Sequence, residues 1–267
     1  MLKFLYETAF GRLILKGLTA PGLSRAVGHF LDTKLSCIFI KSFVKNNGIN
    51  LDDYYSDNFT CFNDCFCRRV KEDRRPVDME PTALVAPCDG LLSAYQITDD
   101  LVIPVKQSRY SIADLLKDTE LAKEFDGGLC LVFRLCVDNY HRYHYFDEGR
   151  KGRNIFIPGR LHTVRPIALR NLPVFTENSR EYTVMDTVNF GRALQIEVGA
   201  MLVGKIANNH EEHEFKRGEE KGCFLYGGST VILLLKKDAA KLEGIYFENT
   251  EKEIETPVKM GQKIGDR

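Results

Sequence analysis

With 267 residues the chain can bury a sizeable core, as one large domain or two smaller ones. A hydrophobic fraction of 44% and a charged fraction of 28% are ordinary for a globular protein. Lys+Arg and Asp+Glu balance at 37 each, so whole-chain charge points to no partner, and no basic stripe calls for nucleic acid.

The distribution of charge says more. Residues 1–46 hold Lys3, Arg12, Lys16, Arg25, Lys34, Lys41 and Lys45 against Glu7 and Asp32, a net +5 on an apolar background. Leu2, Leu5 and Ala9 recur at helical spacing, Pro21 interrupts the pattern between Gly17 and Gly22, and Cys37–Ile40 with Phe43 and Val44 make a second apolar face. Two or three short amphipathic helices are predicted, which either lie in a membrane interface or cap the protein's own core. Charges recur too often for a secretory signal, and no uncharged apolar stretch reaches about 18 residues, so no transmembrane helix is predicted. Asn46-Asn47-Gly48-Ile49-Asn50 then breaks the pattern as a linker, dividing a helical segment, 1–50, from a main domain, 51–267.

The eight cysteines read as reduced thiols of a cytosolic protein. Cys61, Cys65 and Cys67 lack the C-x₂-C spacing and a second ligand pair, so no metal is expected. From residue 83 the pattern turns to β: Ala83–Ala86 is a short apolar run closed by the turn Pro87-Cys88-Asp89-Gly90. Ser111 and Asp114 have capping-box spacing ahead of a short helix through Leu116. Leu129–Val137 reads as an apolar strand. Leu194, Ile196, Val198, Ala200 and Leu202 alternate, so 194–206 reads as a long strand or hairpin arm, with Gly199 and Gly204 allowing a bend.

Three motifs fall short. Gly199–Lys205 has phosphate-loop spacing, but Ile206 stands where a metal-binding hydroxyl belongs. Gly227-Gly228-Ser229-Thr230-Val231 lacks the second glycine of a hydrolase elbow. His210-Glu211-Glu212-His213 is not a zinc-protease motif and reads as a solvated loop.

The stretch with most chemical content is Gly227-Gly228-Ser229-Thr230, opening the apolar run Val231–Leu235. Glycines before a hydroxyl at the edge of a rigid strand leave its N-terminal peptide bond accessible; a plain turn into a core strand has the same sequence. Tyr140-His141-Arg142-Tyr143-His144 offers histidines able to act as bases or to pack among tyrosines. A spacing of three sends them to opposite faces of a flat strand, so a bulge or turn is needed if both serve one site. Asp89, in its turn, bonds to backbone or orients a histidine. Asp89, His144 and Ser229 together form an acid–base–nucleophile set.

An ordered set of pieces then resembles the phosphatidylserine decarboxylase family over most of the chain. They are Phe62-Asn63-Asp64 with Arg68 and Arg75-Pro76; Pro87–Gly90; Tyr140–His144; Pro158–Val164; Phe175–Arg180; Val198–Ala200 with Val203-Gly204; and Lys216–Gly222 leading to Gly227–Thr230. Cys65, Cys67 and Gln107 depart from the family's usual residues.

The resemblance implies a proenzyme that cleaves itself between Gly228 and Ser229, leaving residues 1–228 (β chain) and 229–267 (α chain) associated. It implies that Ser229 attacks the Gly228 carbonyl with His144 as base and Asp89 orienting it, and that residue 229 becomes a pyruvoyl group, with no metal. It further implies decarboxylation of phosphatidylserine to phosphatidylethanolamine through a Schiff base, with His141 as proton donor or substrate contact. The basic segment then becomes a peripheral anchor on an anionic membrane, at its cytoplasmic face. The expected fold is α+β, with N-terminal amphipathic helices on a mainly antiparallel β domain. A serine hydrolase using Asp89, His144 and Ser229 on an external ester is one alternative; a non-catalytic anionic-lipid-binding relative is the other.

Overall fold

The fold follows from two continuous apolar runs placed side by side. The computed structural model describes residues 2–56, 58–98, 111–200, 205–225 and 229–267. Strands Ser229–Leu235 and Leu129–Leu135 pair antiparallel, Ser229 opposite Leu135 and Leu235 opposite Leu129, and every residue of both is buried. Burial on both faces explains runs that do not alternate.

Around this pair the sheet extends in both directions, antiparallel throughout. On one side lie Gly191–Val198, Arg180–Thr187, Gly149–Lys151 and His213–Phe215; on the other, Gly90–Gln96 and Thr256–Val258; Ile155–Ile157 also joins the Arg180–Thr187 strand. A second sheet holds Arg142–His144, Glu220–Leu225 and Lys205–Asn208, and a third Ala83–Val85, Lys263–Asp266 and Lys241–Leu242. The architecture is α+β, as expected.

The alternating stretch from 194 to 206 is not one strand. Gly191–Val198 ends where the Gly199 amide turns to the Ser179 carbonyl (2.9 Å), and Lys205–Asn208 belongs to the second sheet, paired with Glu220–Leu225. The side chain of Asn178 holds the corner by donating to the Gly199 and His162 carbonyls (2.7 and 2.8 Å). The strand expected over 129–137 stops at Leu135, because the Cys136 amide is taken by the Asn139 side chain (2.7 Å).

The N-terminal segment forms more helices than its pattern suggested: Leu2–Glu7, Ala9–Leu18, Pro21–Leu31, a 3₁₀ turn Lys34–Phe39, and Ile40–Asn46. Thr8 separates the first two by capping the Gly11 amide (2.9 Å), and a Cβ on Gly11 would run into the Phe4 carbonyl. Pro21 sits in the first turn of its helix, where a missing N–H costs nothing. Leu5, Tyr6 and Leu15 are buried in the main core, and the Tyr6 hydroxyl accepts from the Thr163 amide (3.2 Å). Leu31, Phe62, Phe66 and Cys67 form a second cluster with Val27, Ile40 and Phe43. Ser111 caps the Asp114 amide (3.0 Å) and opens the short helix Ile112–Leu116, as its spacing predicted.

Candidate active site

Ser229 is the first residue of the central strand and is fully buried, yet its Oγ has no hydrogen-bond partner among the described residues. A buried hydroxyl left unpaired costs about 1–3 kcal/mol, so its position calls for a chemical reason. Gly228 lies outside the described residues.

Strand register brings Asp89 to the same end of the sheet. Leu91 pairs with Arg134 and Ser229 with Leu135, so Gly90 and Ser229 flank Leu135 on its two sides. Two strand spacings put them about 10 Å apart, backbone to backbone. His144 joins from the second sheet, where its amide donates to the Pro87 carbonyl (2.8 Å) in the turn that carries Asp89. One sheet end therefore gathers all three elements of the acid–base–nucleophile set.

The Asp89 carboxylate is already occupied. Arg75 Nε lies 2.8 Å from Oδ1, an Arg75 terminal nitrogen lies 2.7 Å from Oδ2, and the Met260 amide donates to Oδ1 at 2.9 Å. Both side chains are buried, a geometry that fixes the carboxylate's plane. Burial works against the Arg75 charge, but the Asp89 carboxylate outweighs it and raises the Arg75 pKa. Among the described residues Asp89 makes no hydrogen bond to His144 and acts on it through its field.

The His144 imidazole is buried, with its Nδ1 unpartnered among the described residues and its ring 5.8 Å from that of Tyr140. Burial lowers its pKa to about 4; Glu220 pulls upward, Arg142 downward and Asp89 upward. Glu220 stands opposite His144 across the strand pair, but its Oε1 is engaged by Arg142 at 2.6 Å, so burial prevails. With its pKa held down by burial, the ring is neutral near pH 7.

His141 goes elsewhere. It precedes the Arg142–His144 strand, its ring lies 4.0 Å from that of Phe66, and its Nδ1 is 3.0 Å from the Asn139 carbonyl. Burial, then Arg68, lowers its pKa to about 3 despite the Asn139 contact. Its Nε2 is unpartnered, and among the described residues it touches neither Asp89 nor Ser229 through a hydrogen bond.

Two groups escaped the sequence reading. The resemblance includes Arg75 but implies no role for it, yet it clamps Asp89. Lys221 and Glu197 form a fully buried ion pair at 2.8 and 2.9 Å, completed by Asn208 Oδ1 (2.9 Å) on the lysine and Gln195 (3.1 Å) on the glutamate. Glu197 pairs with Val231, two residues from Ser229 and on the same face of the sheet. No sequence signal marks it: in an alternating run Gln195 and Glu197 read as a solvated face, and only the second buried face of the strand shows otherwise.

These features define an α+β protein whose sheet end gathers a partnerless hydroxyl, a neutral imidazole and a clamped carboxylate. Comparison with known proteins gives the family. The family described as phosphatidylserine decarboxylase matches residues 62–266. The chain is 44% identical over 266 residues to "Phosphatidylserine decarboxylase proenzyme 2" of Clostridium acetobutylicum, spanning 99% of this chain and 91% of that one. It is 41% identical over 249 residues to the "Phosphatidylserine decarboxylase proenzyme" of Clostridium perfringens, spanning 91% and 85%. It is 38% identical over 272 residues to that of Ruminiclostridium cellulolyticum, spanning 100% and 91%. The chain belongs to the phosphatidylserine decarboxylase family.

Proposed function

We propose that the chain decarboxylates phosphatidylserine to phosphatidylethanolamine after cleaving itself between Gly228 and Ser229. The observation that carries this reading is the buried Ser229 hydroxyl at the first position of the central strand, without a hydrogen-bond partner among the described residues. His144, neutral and with a free Nδ1, takes the proton as Ser229 Oγ attacks the Gly228 carbonyl. The Asp89 carboxylate, clamped by Arg75, stabilises the imidazolium that results. The peptide becomes an ester, and elimination then separates residues 1–228 from residues 229–267. The second chain begins on a strand paired on both sides, so the two chains stay associated.

Residue 229 is the position of the pyruvoyl group. An unpaired buried oxygen atom at a sheet end fits a group that needs shelter from water and no hydrogen bond to its precursor hydroxyl. The group supplies an electron-withdrawing carbonyl on which a carboxylate can be lost. His141, with its free Nε2, is the proton donor or substrate contact in this reading.

Residues 1–50 hold the enzyme on the cytoplasmic face of an anionic membrane, and residues 51–267 carry the chemistry. Phe10, Leu13, Leu35 and Ile38 are exposed by 64–74% beside lysines of the same segment, which supports that role. No helix among the described residues is long and apolar enough to cross a membrane.

Intact mass under denaturing conditions tests the proposal. The expected result is a fragment of residues 229–267 beside one of residues 1–228, with Ser229→Ala giving a single uncleaved chain. A single uncleaved species from the folded native sequence, purified with membrane lipid, overturns it.

A further inference from the structure

Where the chain passes from the second sheet to the main sheet and back, three side chains that the proposed chemistry does not use come together. His210, His213 and Glu219 place one candidate ligand atom each within 4.8 Å of one another. His213 Nε2 is 2.6 Å from Glu219 Oε1, and the His210 and His213 rings stack at 3.9 Å with planes 20° apart. The His210 ring is exposed, and its imidazole makes no hydrogen bond to a described residue.

The backbone beneath them is fixed. Lys151, itself only 1% exposed, donates to the carbonyls of His210 and Glu211 at 2.7 and 2.6 Å. Asn154 donates to the His210 carbonyl at 2.9 Å, and His213 pairs with Lys151 in the main sheet. The second oxygen of Glu219 accepts from the Lys216 amide (3.0 Å), which leaves the first turned toward the histidines. Two imidazoles and a carboxylate so positioned exceed what a single His213–Glu219 hydrogen bond requires.

We propose that His210, His213 and Glu219 form a binding site for one borderline divalent transition-metal cation, of the Zn²⁺ class, where the loop after the Lys205–Asn208 strand meets the turn before the Glu220–Leu225 strand. Two nitrogens and one oxygen suit such an ion and not Ca²⁺ or Mg²⁺, which take oxygen sets. Metal–ligand bonds of about 2.0–2.2 Å in tetrahedral geometry need ligand atoms roughly 3.3–3.6 Å apart. The His213–Glu219 separation of 2.6 Å is shorter than this and none of the three exceeds 4.8 Å, so adjustments within reach of side-chain rotation suffice. His210 is exposed and His213 and Glu219 are half-buried, which leaves water to complete the fourth position.

The site's effect is mechanical. Glu219 directly precedes Glu220, which stands opposite His144, and the Glu219 carbonyl accepts from the Tyr145 amide (2.9 Å). A cation would tie the 209–213 loop to the start of the strand that ends just before the Gly228–Ser229 bond. Charge favours it as well: Glu211 and Glu212 lie between the two histidines, and Glu214 follows.

Calorimetric titration of the purified protein with Zn²⁺, and an optical titration with Co²⁺, test the site without recourse to catalysis. The expected result is one bound equivalent, a Co²⁺ spectrum with ligand-field bands but no thiolate charge-transfer band, and a melting temperature that rises with metal concentration. His210→Ala, an exposed substitution that leaves the fold intact by circular dichroism, weakens binding at least about tenfold, and Glu219→Gln does the same. No binding up to about 1 mM metal, unchanged affinity in both variants, or a thiolate band assigning the metal to cysteines overturns the proposal.

Discussion

The N-terminal helices and the central strand pair use the same kinds of side chain to opposite ends. In Ser229–Leu235 and Leu129–Leu135 every residue is buried, including the hydroxyls of Ser229 and Thr230. In residues 2–46, Leu5, Tyr6 and Leu15 face the core, while Phe4, Phe10, Leu13, Ile14, Leu23, Phe30, Leu35, Ile38 and Phe39 are exposed. Those nine are more than half of the sixteen large hydrophobics exposed among the described residues. Apolar area stabilises a fold only where the fold itself removes that area from water. The strand pair obtains this for every residue; the helices obtain it inside the protein only for the few side chains, such as Leu5, Tyr6 and Leu15, that reach the core.

The largest way to break this contrast is to unbalance the interior. Glu197→Gln leaves the Lys221 ammonium, fully buried, with only neutral oxygen partners. The expected cost is about 3–5 kcal/mol, since an unpaired buried charge loses its attraction and keeps its desolvation penalty. Urea unfolding measures it. The double replacement Glu197→Leu with Lys221→Met is expected to recover most of the loss. Equal destabilisation in single and double variants would mean that the pair acts through its hydrogen bonds to Asn208 and Gln195 and not through charge.

A smaller effect sits at the seam between the two regions. His162 is buried 6.1 Å from the Tyr6 ring, and burial, then Arg160, lowers its pKa to about 4. His144 has the same depressed value and His141 one near 3. Each folded-state pKa lies below the unfolded value of about 6.5, so below that pH the unfolded chain binds protons that the folded chain refuses. Stability is therefore full above about pH 6.5 and falls as pH drops toward 4. Each histidine contributes at most about 1.4 kcal/mol per pH unit. His162→Gln is expected to make unfolding free energy less steep against pH between 4.5 and 6 by up to one proton's worth. An unchanged slope would show that His162 is already open to solvent and that the seam is loose.

The sequence made the sheet's centre legible because a strand buried on both faces is written as an unbroken apolar run, and Val231–Leu235 is one. It marked Asp89, His144 and Ser229 as candidates because each carries its own local signal: a turn, an aromatic-flanked histidine, a glycine-preceded serine. It could not supply partners distant in the chain. Arg75 reaches Asp89 across a gap that no spacing rule covers, and Glu219 reaches His213 only because a turn at Gly218 folds the chain back. The strand break after Val198 was legible only as a bend that Gly199 allows: Ala200 and Leu202 continue the alternation, so the pattern alone does not say that the Gly199 backbone turns to Asn178 and Ser179. Periodicity reports which side chains are apolar, not which neighbouring strand receives their amides.

The smallest expected effect on stability is also the one that most sharpens the comparison. Phe10 and Ile38 are 65% and 74% exposed, so replacing both by serine removes little contact within the protein. Unfolding free energy is expected to change by no more than about 0.5 kcal/mol per site. Vesicle binding is expected to change far more. If each side chain enters the interface, its loss weakens binding by about tenfold or more. The readout is co-sedimentation with vesicles containing phosphatidylserine, compared with neutral vesicles and repeated at raised salt. The neighbouring Lys16, Lys34 and Lys41 require that binding loosen as ionic strength rises. Serine variants that lose vesicle binding while keeping native stability would locate the missing burial partner of the helices in the lipid. Variants that lose stability instead would place Phe10 and Ile38 in protein contacts, and the two regions of the molecule would then obey one rule.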